Sequence, residues 1–127
     1  MNQTMKTLQI YEQKGFKFKC IPNFEGLYKI STCGIVYNVK LDRVIKPHFS
    51  GVPRRNYHQV TLYKDGFKYT KRIHSLMAIT YLNHTYGNRK LVVDHIDNNP
   101  INNLLENLQI VDIRTNNLKD KRNETTK

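Results

Sequence analysis

One stretch limits what this chain can fold into more than any other: residues 91–117 read LVVDHIDNNPINNLLENLQIVDIRTNN. The apolar run Leu91-Val92-Val93 predicts a short buried strand, and an Asp-His pair, Asp94-His95, follows at its end. Asp97, Asn98, Asn99, Pro100, Asn102 and Asn103 then fill a loop with turn formers. Leu108 to Val111 predicts a returning strand. Asp112 is placed to cap a helix carrying Asn116 and Asn117, because its carboxylate can accept a free amide of the first turn. Strand, polar loop, strand and helix in that order bring a carboxylate, an imidazole and an amide toward one point. Such a set suits metal-assisted chemistry on an anion.

The rest of the chain predicts an α+β fold built on small antiparallel sheets and hairpins. Residues 1–15 carry little pattern and fit a frayed start or a short helix. From Phe16 to Pro47 the runs KFKCI, LYKIS, GIVYNVK and RVIKP predict short strands, punctuated by Gly26, Gly34 and Leu41-Asp42. His48 to Asn56 is a basic connector with Arg54-Arg55 at its centre, and it is the natural boundary. The expected division is a β-rich unit over 16–50 and a second unit over 56–122, with 1–15 and 123–127 as poorly ordered ends. Tyr57–Tyr63 and Phe67–Ile73 alternate polar and apolar residues around Lys64-Asp65-Gly66, a hairpin signal. Val60 and Leu62 share one face, and Lys68, Thr70 and Arg72 lie in opposite parity to Phe67, Tyr69 and Lys71. Ser75 to Leu82 predicts a short helix with Leu76, Ile79 and Leu82 at core spacing.

Charge narrows the partner. Against 10 Asp+Glu stand 21 Lys+Arg, a formal net charge of +11, which favours a polyanion whose condensed counterions are released on binding. The cysteines, Cys20 and Cys33, are too few for a disulfide scaffold or a four-thiolate zinc site, and buried free thiols are expected. No apolar run is long enough to span a bilayer and no signal-peptide core is present, so a soluble, intracellular protein with no membrane partner is expected.

The string VDHIDNNPINNLLENLQIV, with Asn116 after it, resembles the HNH endonucleases of the ββα-metal superfamily, in their phage and intron-associated homing branch. YHQVTLYKDGFKYTKRIHSLMAITYL resembles the hairpin and helix that lead into the nuclease motif there. IPNFEGLYKISTCGIVYNVK resembles the small modular DNA-binding unit fused in front of such nucleases, although it lacks the tryptophan usual near that unit's start. The resemblance covers roughly Phe18 to Asn117. It implies a DNA endonuclease with a C-terminal ββα-metal motif, one divalent cation (Mg²⁺ or Mn²⁺), and ends bearing 5′-phosphate and 3′-hydroxyl. By the same resemblance His95 is the general base, Asp94 and Asn116 are metal ligands, and Asn107 is the middle residue that fixes the loop. An asparagine, Asn116, stands where the family's name has its last histidine, as in the homing branch. The implied setting is the cytoplasm of a bacterial host, with the gene carried by a phage.

The residues support this chemistry separately. Phosphodiester hydrolysis needs an activated water and stabilised charge on the leaving oxygen. His95 can take a proton near neutral pH without an extreme pKa. One carboxylate and one amide oxygen, Asp94 and Asn116, suit Mg²⁺ or Mn²⁺ better than structural zinc. Adjacent residues of a strand point to opposite faces, so Asp94 and His95 can share a site only where the strand ends. Arg54, Arg55, Lys68, Lys71, Arg72 and Arg114 are candidate contacts to the phosphates of double-stranded DNA. His74 is divided between a core or capping residue and a phosphate contact. The plainer alternatives are a turn pair for Asp94-His95, loop formers for Asp97, Asn98, Asn99, Asn102 and Asn103, packing for Tyr57, Tyr63 and Tyr69, and solvated strand faces for the cations. A non-catalytic DNA-binding protein on the same scaffold is the competing function. One site per chain cuts one strand, so a nicking monomer is expected, with a dimer as the alternative.

Overall fold

Short β-branched and aromatic runs satisfy their backbone groups by pairing with neighbours in sequence, and among the described residues they do so in three sheets. The computed structural model describes residues 6–49, 57–84 and 91–114. Its first strands, β1 (Phe18–Cys20), β2 (Tyr28–Ser31), β3 (Val36–Asn38) and β4 (Arg43–Ile45), form an antiparallel meander in sequence order. A second sheet joins β5 (His48–Phe49), β6 (His58–Lys64) and β7 (Phe67–Arg72). The third is a two-stranded ribbon of β8 (Leu91–His95) and β9 (Leu108–Asp112).

Local chemistry sets each junction. Asp65 and Gly66 connect β6 to β7 with φ +53° and +81°, the doubly positive turn whose twist matches a hairpin. The first helix, α1 (Thr7–Gln13), buries none of its residues. It is held at its N-terminus by Asp42, in the turn before β4: the Thr7 N–H donates to Asp42 Oδ1 at 2.9 Å and the Thr7 hydroxyl to the Asp42 carbonyl at 2.8 Å. The same Oδ1 accepts the Tyr37 hydroxyl at 2.6 Å, and burial together with this carboxylate pushes that phenol up to about 12.

The second helix, α2 (Ile73–Tyr81), starts directly after β7, two residues earlier than the spacing of its leucines indicates, because no breaker separates strand from helix. Ile73, Leu76, Met77 and Ala78 are buried along it. Ile73, Leu76 and Met77 meet Ile21, Phe24, Tyr28, Ile30 and Val36 from the first sheet and its β1–β2 connection, Val60 and Leu62 from β6, and Leu108 from β9 in one apolar cluster. That cluster draws on both sides of the sequence connector, whose first residues, His48 and Phe49, are themselves a strand paired with β6. Two hydroxyls add directed ties: the Tyr63 N–H donates to the Tyr28 hydroxyl at 2.9 Å, and the Tyr81 hydroxyl donates to the Ile30 carbonyl at 2.6 Å. Both cysteines are free, but Cys20 is exposed rather than buried, because β1 is the outer strand of its sheet. Among the described residues no helix is long and apolar enough to cross a membrane.

Candidate active site

The β8–β9 ribbon places the Asp-His pair. Its register sets Asp94 opposite Gln109 and His95 opposite Leu108. Side chains alternate along a strand, so His95 shares the face of Leu108, a core residue, while Asp94 shares the face of Gln109. Gln109 Nε2 donates to Asp94 Oδ2 at 2.7 Å, fixing the carboxylate by a cross-strand bond. Asp94 and His95 are 6% and 8% exposed. The strand ends at His95, whose carbonyl accepts the Asn98 N–H at 2.8 Å to close a turn, with Asn98 at φ +62°.

The loop that follows is organised by two residues. Asn107, in a short 3₁₀ turn (Leu105–Asn107), donates through Nδ2 to Asp97 Oδ1 at 2.9 Å and to the Asn102 carbonyl at 2.8 Å. Its Oδ1 accepts the Asp97 N–H at 3.1 Å, and its carbonyl accepts the Ile96 N–H at 2.8 Å. Asp97 in turn accepts from Asn102 Nδ2 at 2.7 Å and from the Asn99 N–H at 2.8 Å. Hydrogen bonds from Asn102, from the Asn99 backbone and from Asn107 hold the Asp97 carboxyl down at about 2. The asparagines of the loop are therefore mostly turn formers with backbone partners.

His95 sits in a cluster of rings and amides. Its Nε2 lies 2.9 Å from Asn103 Oδ1, a buried bond. The His74 ring meets it edge-on at 5.0 Å and the Tyr57 ring stacks at 6.3 Å. Tyr57 also contacts His74 at 5.0 Å and carries the Arg72 guanidinium 4.6 Å above its ring. Burial, followed by the neighbouring His95 and Arg72, pulls His74 down to about 3, so it is a neutral ring at neutral pH. His74 was divided between the core and the phosphates in the sequence; the fold buries it to 8% exposure against His95.

The other sequence candidates separate by face. All of β7 is exposed, and its alternation puts Lys68 and Arg72 on one side of the hairpin and Lys71, beside Tyr69, on the other. Arg114 is exposed two residues beyond β9. Arg54, Arg55 and Asn116 lie outside the described residues.

Asp94 is a buried, hydrogen-bonded carboxyl group that offers oxygen to a cation. Among the described residues no group of three or more His, Cys, Asp or Glu could enclose a metal ion. Few protein oxygens and no thiolate cluster fit a hard cation that keeps waters and substrate oxygens in its shell, and not a structural zinc centre. Sequence reasoning gave no role to Gln109 and read Asn103 and Tyr57 as loop and packing. Gln109 was findable, since it is the cross-strand partner of Asp94 once the ribbon register is drawn. Asn103 and Tyr57 reach His95 only through tertiary folding, and nothing local marks them.

No family model matches the chain. It is 37% identical over 101 residues to the DNA endonuclease I-HmuI of Bacillus phage SP01, covering 79% of this chain and 55% of that protein. It is 32% identical over 94 residues to the H-N-H endonuclease F-TflII of Escherichia phage T5, covering 74% of this chain and 47% of that one. Among solved structures, one described as DNA binding and cleavage by the HNH homing endonuclease I-HmuI superposes with a TM-score of 0.72 at 34% identity. That match covers 87% of this chain and 60% of the other. The chain thus spans about half the length of the curated relatives it matches.

Proposed function

The chain belongs to the HNH homing endonuclease family, and from that premise we propose that it hydrolyses phosphodiester bonds of double-stranded DNA with a divalent cation. The carrying observation is the consecutive, buried Asp94 and His95 at the end of β8, with the following loop locked by Asn107. In this reading His95 takes the proton of a water, whose oxygen adds to phosphorus as the bond to the 3′ oxygen breaks, leaving 5′-phosphate and 3′-hydroxyl ends. Asp94 and Asn116 hold Mg²⁺ or Mn²⁺, which when bound supplies charge stabilisation at the phosphate and the leaving oxygen. Gln109 keeps the Asp94 carboxylate oriented, and Asn107 fixes the loop that carries the His95 backbone.

DNA is held by cations on the hairpin face of Lys68 and Arg72, together with Arg114, Arg54 and Arg55, while the upstream strands supply base contacts and Lys71, turned to the opposite face beside Tyr69, stays off the duplex. Arg72 is tied to the chemistry through Tyr57, whose ring lies under its guanidinium and stacks with the His95 ring. His74 acts by packing against His95 rather than by touching phosphate. The protein works as a nicking monomer in the host cytoplasm, a setting suggested by relatives that are phage proteins named as endonucleases.

Cleavage of supercoiled plasmid with Mg²⁺, Mn²⁺ or EDTA, comparing wild type with His95→Ala, tests the reading. Metal-dependent nicking that disappears in His95→Ala is the expected result. Equal cutting by both proteins would mean a contaminant or a misplaced base. No cutting by either, with salt-sensitive DNA binding intact, would establish the non-catalytic alternative.

A further inference from the structure

The imidazole of His95 is held by a residue that the resemblance assigns no role. Its Nε2 lies 2.9 Å from Asn103 Oδ1 in a buried bond, and Asn103 is 6% exposed. An amide oxygen can only accept, so this bond requires the hydrogen on Nε2, which in a neutral ring leaves the lone pair on Nδ1. Orientation and tautomer of the ring are therefore both set by where Asn103 sits.

Asn103 is in turn fixed from the first sheet. Gly34, in the turn between β2 and β3, has φ +87°, a conformation that glycine adopts without strain. A Cβ added there would stand 3.3 Å from the Asn103 Cβ and 3.1 Å from Ile73 Cγ2, so any other residue at this turn would press on Asn103 and Ile73 and require them to give. Two residues before Gly34, the Thr32 carbonyl accepts the Leu105 N–H at 2.8 Å, which anchors the loop just past Asn103. The Ser31 hydroxyl stiffens this turn by accepting the Ile35 N–H at 2.9 Å.

We propose that Asn103 is a positioning residue that holds His95 as its Nε2–H tautomer, and that the Thr32–Gly34 turn of the first sheet holds Asn103 in place to do so. The β-rich unit is then part of the catalytic scaffold in addition to any contact it makes with DNA. This rests on His95 being the base.

Nitrogen-15 NMR of the His95 ring in the free protein tests the coupling without DNA. Wild type is expected to show one tautomer, with hydrogen on Nε2. Asn103→Ala is expected to mix the two tautomers and to lower kcat for plasmid nicking about ten-fold or more, with DNA affinity within about two-fold of wild type. Asn103→Asp keeps an accepting oxygen and is expected to retain the Nε2–H form. Gly34→Ala, melting as a folded protein, is expected to reproduce the mixed tautomers of Asn103→Ala. A pure Nε2–H tautomer in Asn103→Ala, its loss in a folded Asn103→Asp, or wild-type ring signals in Gly34→Ala would each overturn the proposal. A wild-type protein that nicks nothing would instead overturn the endonuclease reading, while the ring signals would still decide whether Asn103 sets the tautomer.

Discussion

Asp97 and Asn107 hold each other in both directions: the Asn107 amide donates to the Asp97 carboxylate at 2.9 Å, and the Asp97 N–H donates to the Asn107 amide oxygen at 3.1 Å. With the further bond to the Asn102 carbonyl, one buried side chain spans both ends of the loop between β8 and β9. Removing it leaves a backbone N–H and a carbonyl without their partner.

Asn107→Ala is therefore expected to destabilise the fold by about 1–3 kcal/mol, the cost of unpaired polar groups at a poorly hydrated site. A shift of the urea midpoint measures it. Nicking should fall with it, because the Asn107 side chain holds both the N–H and the carboxylate of Asp97, two residues after His95. An unchanged midpoint would contradict the clamp.

The Asp97 carboxyl, held at about 2 against an ordinary 3.8, gives the loop an acid limit. Between those values the unfolded chain binds the proton and the folded loop does not, so the loop's stabilisation is complete above about pH 4 and is lost as pH falls toward about 2. Exchange of the Asn99 amide, whose hydrogen the carboxylate accepts at 2.8 Å, should accelerate over that range relative to its intrinsic rate. In Asp97→Asn this acid dependence should be missing.

His74 acts in the same sense at higher pH. Folding lowers its pKa from 6.5 to about 3, so between those values the unfolded state carries the extra proton. Stability should fall by up to about 1.4 kcal/mol per pH unit as pH drops from 6.5 toward 3. Urea titrations at a series of pH values would read that slope, and His74→Phe should flatten it.

The core makes a graded prediction. Leu76→Ala, at a residue 1% exposed, should cost about 2–5 kcal/mol. Tyr81→Phe, which removes only the hydroxyl bonded to the Ile30 carbonyl, should cost about 1 kcal/mol. Thermal melts of the two variants should rank in that order.

The two faces of β7 predict unequal roles for its cations. If DNA lies on the Lys68 and Arg72 face, Arg72→Ala and Lys68→Ala should each reduce the slope of log affinity against log salt by about 1. Lys71→Ala, on the opposite face, should leave the slope unchanged. Equal effects at all three positions would place the duplex across the edge of the sheet instead.

Patterns of short range were legible in the sequence. The Asp65-Gly66 turn, the alternation of Val60 and Leu62, the apolar face of α2 and the strand–loop–strand course around Asp94-His95 all appear because a few neighbouring residues dictate them. What was not legible depends on contacts between distant residues. Asn103 looks like any turn asparagine until folding carries it to His95, and Gly34 like ordinary punctuation until it is seen against Asn103. His74 could not be assigned because its environment, not its neighbours in sequence, strips its charge. Helix α1 could not be decided against a frayed start, since it buries nothing and depends on Asp42, 35 residues away, to start it.

The Tyr28 and Tyr81 hydroxyl ties have a consequence for protein engineering. A new front unit grafted onto this chain at the basic connector, the place where the sequence invites a cut, would discard the Tyr28 hydroxyl that receives the Tyr63 N–H and the Ile30 carbonyl that receives Tyr81. Redesign is better attempted by changing exposed side chains on the retained strands than by exchanging the front of the chain wholesale.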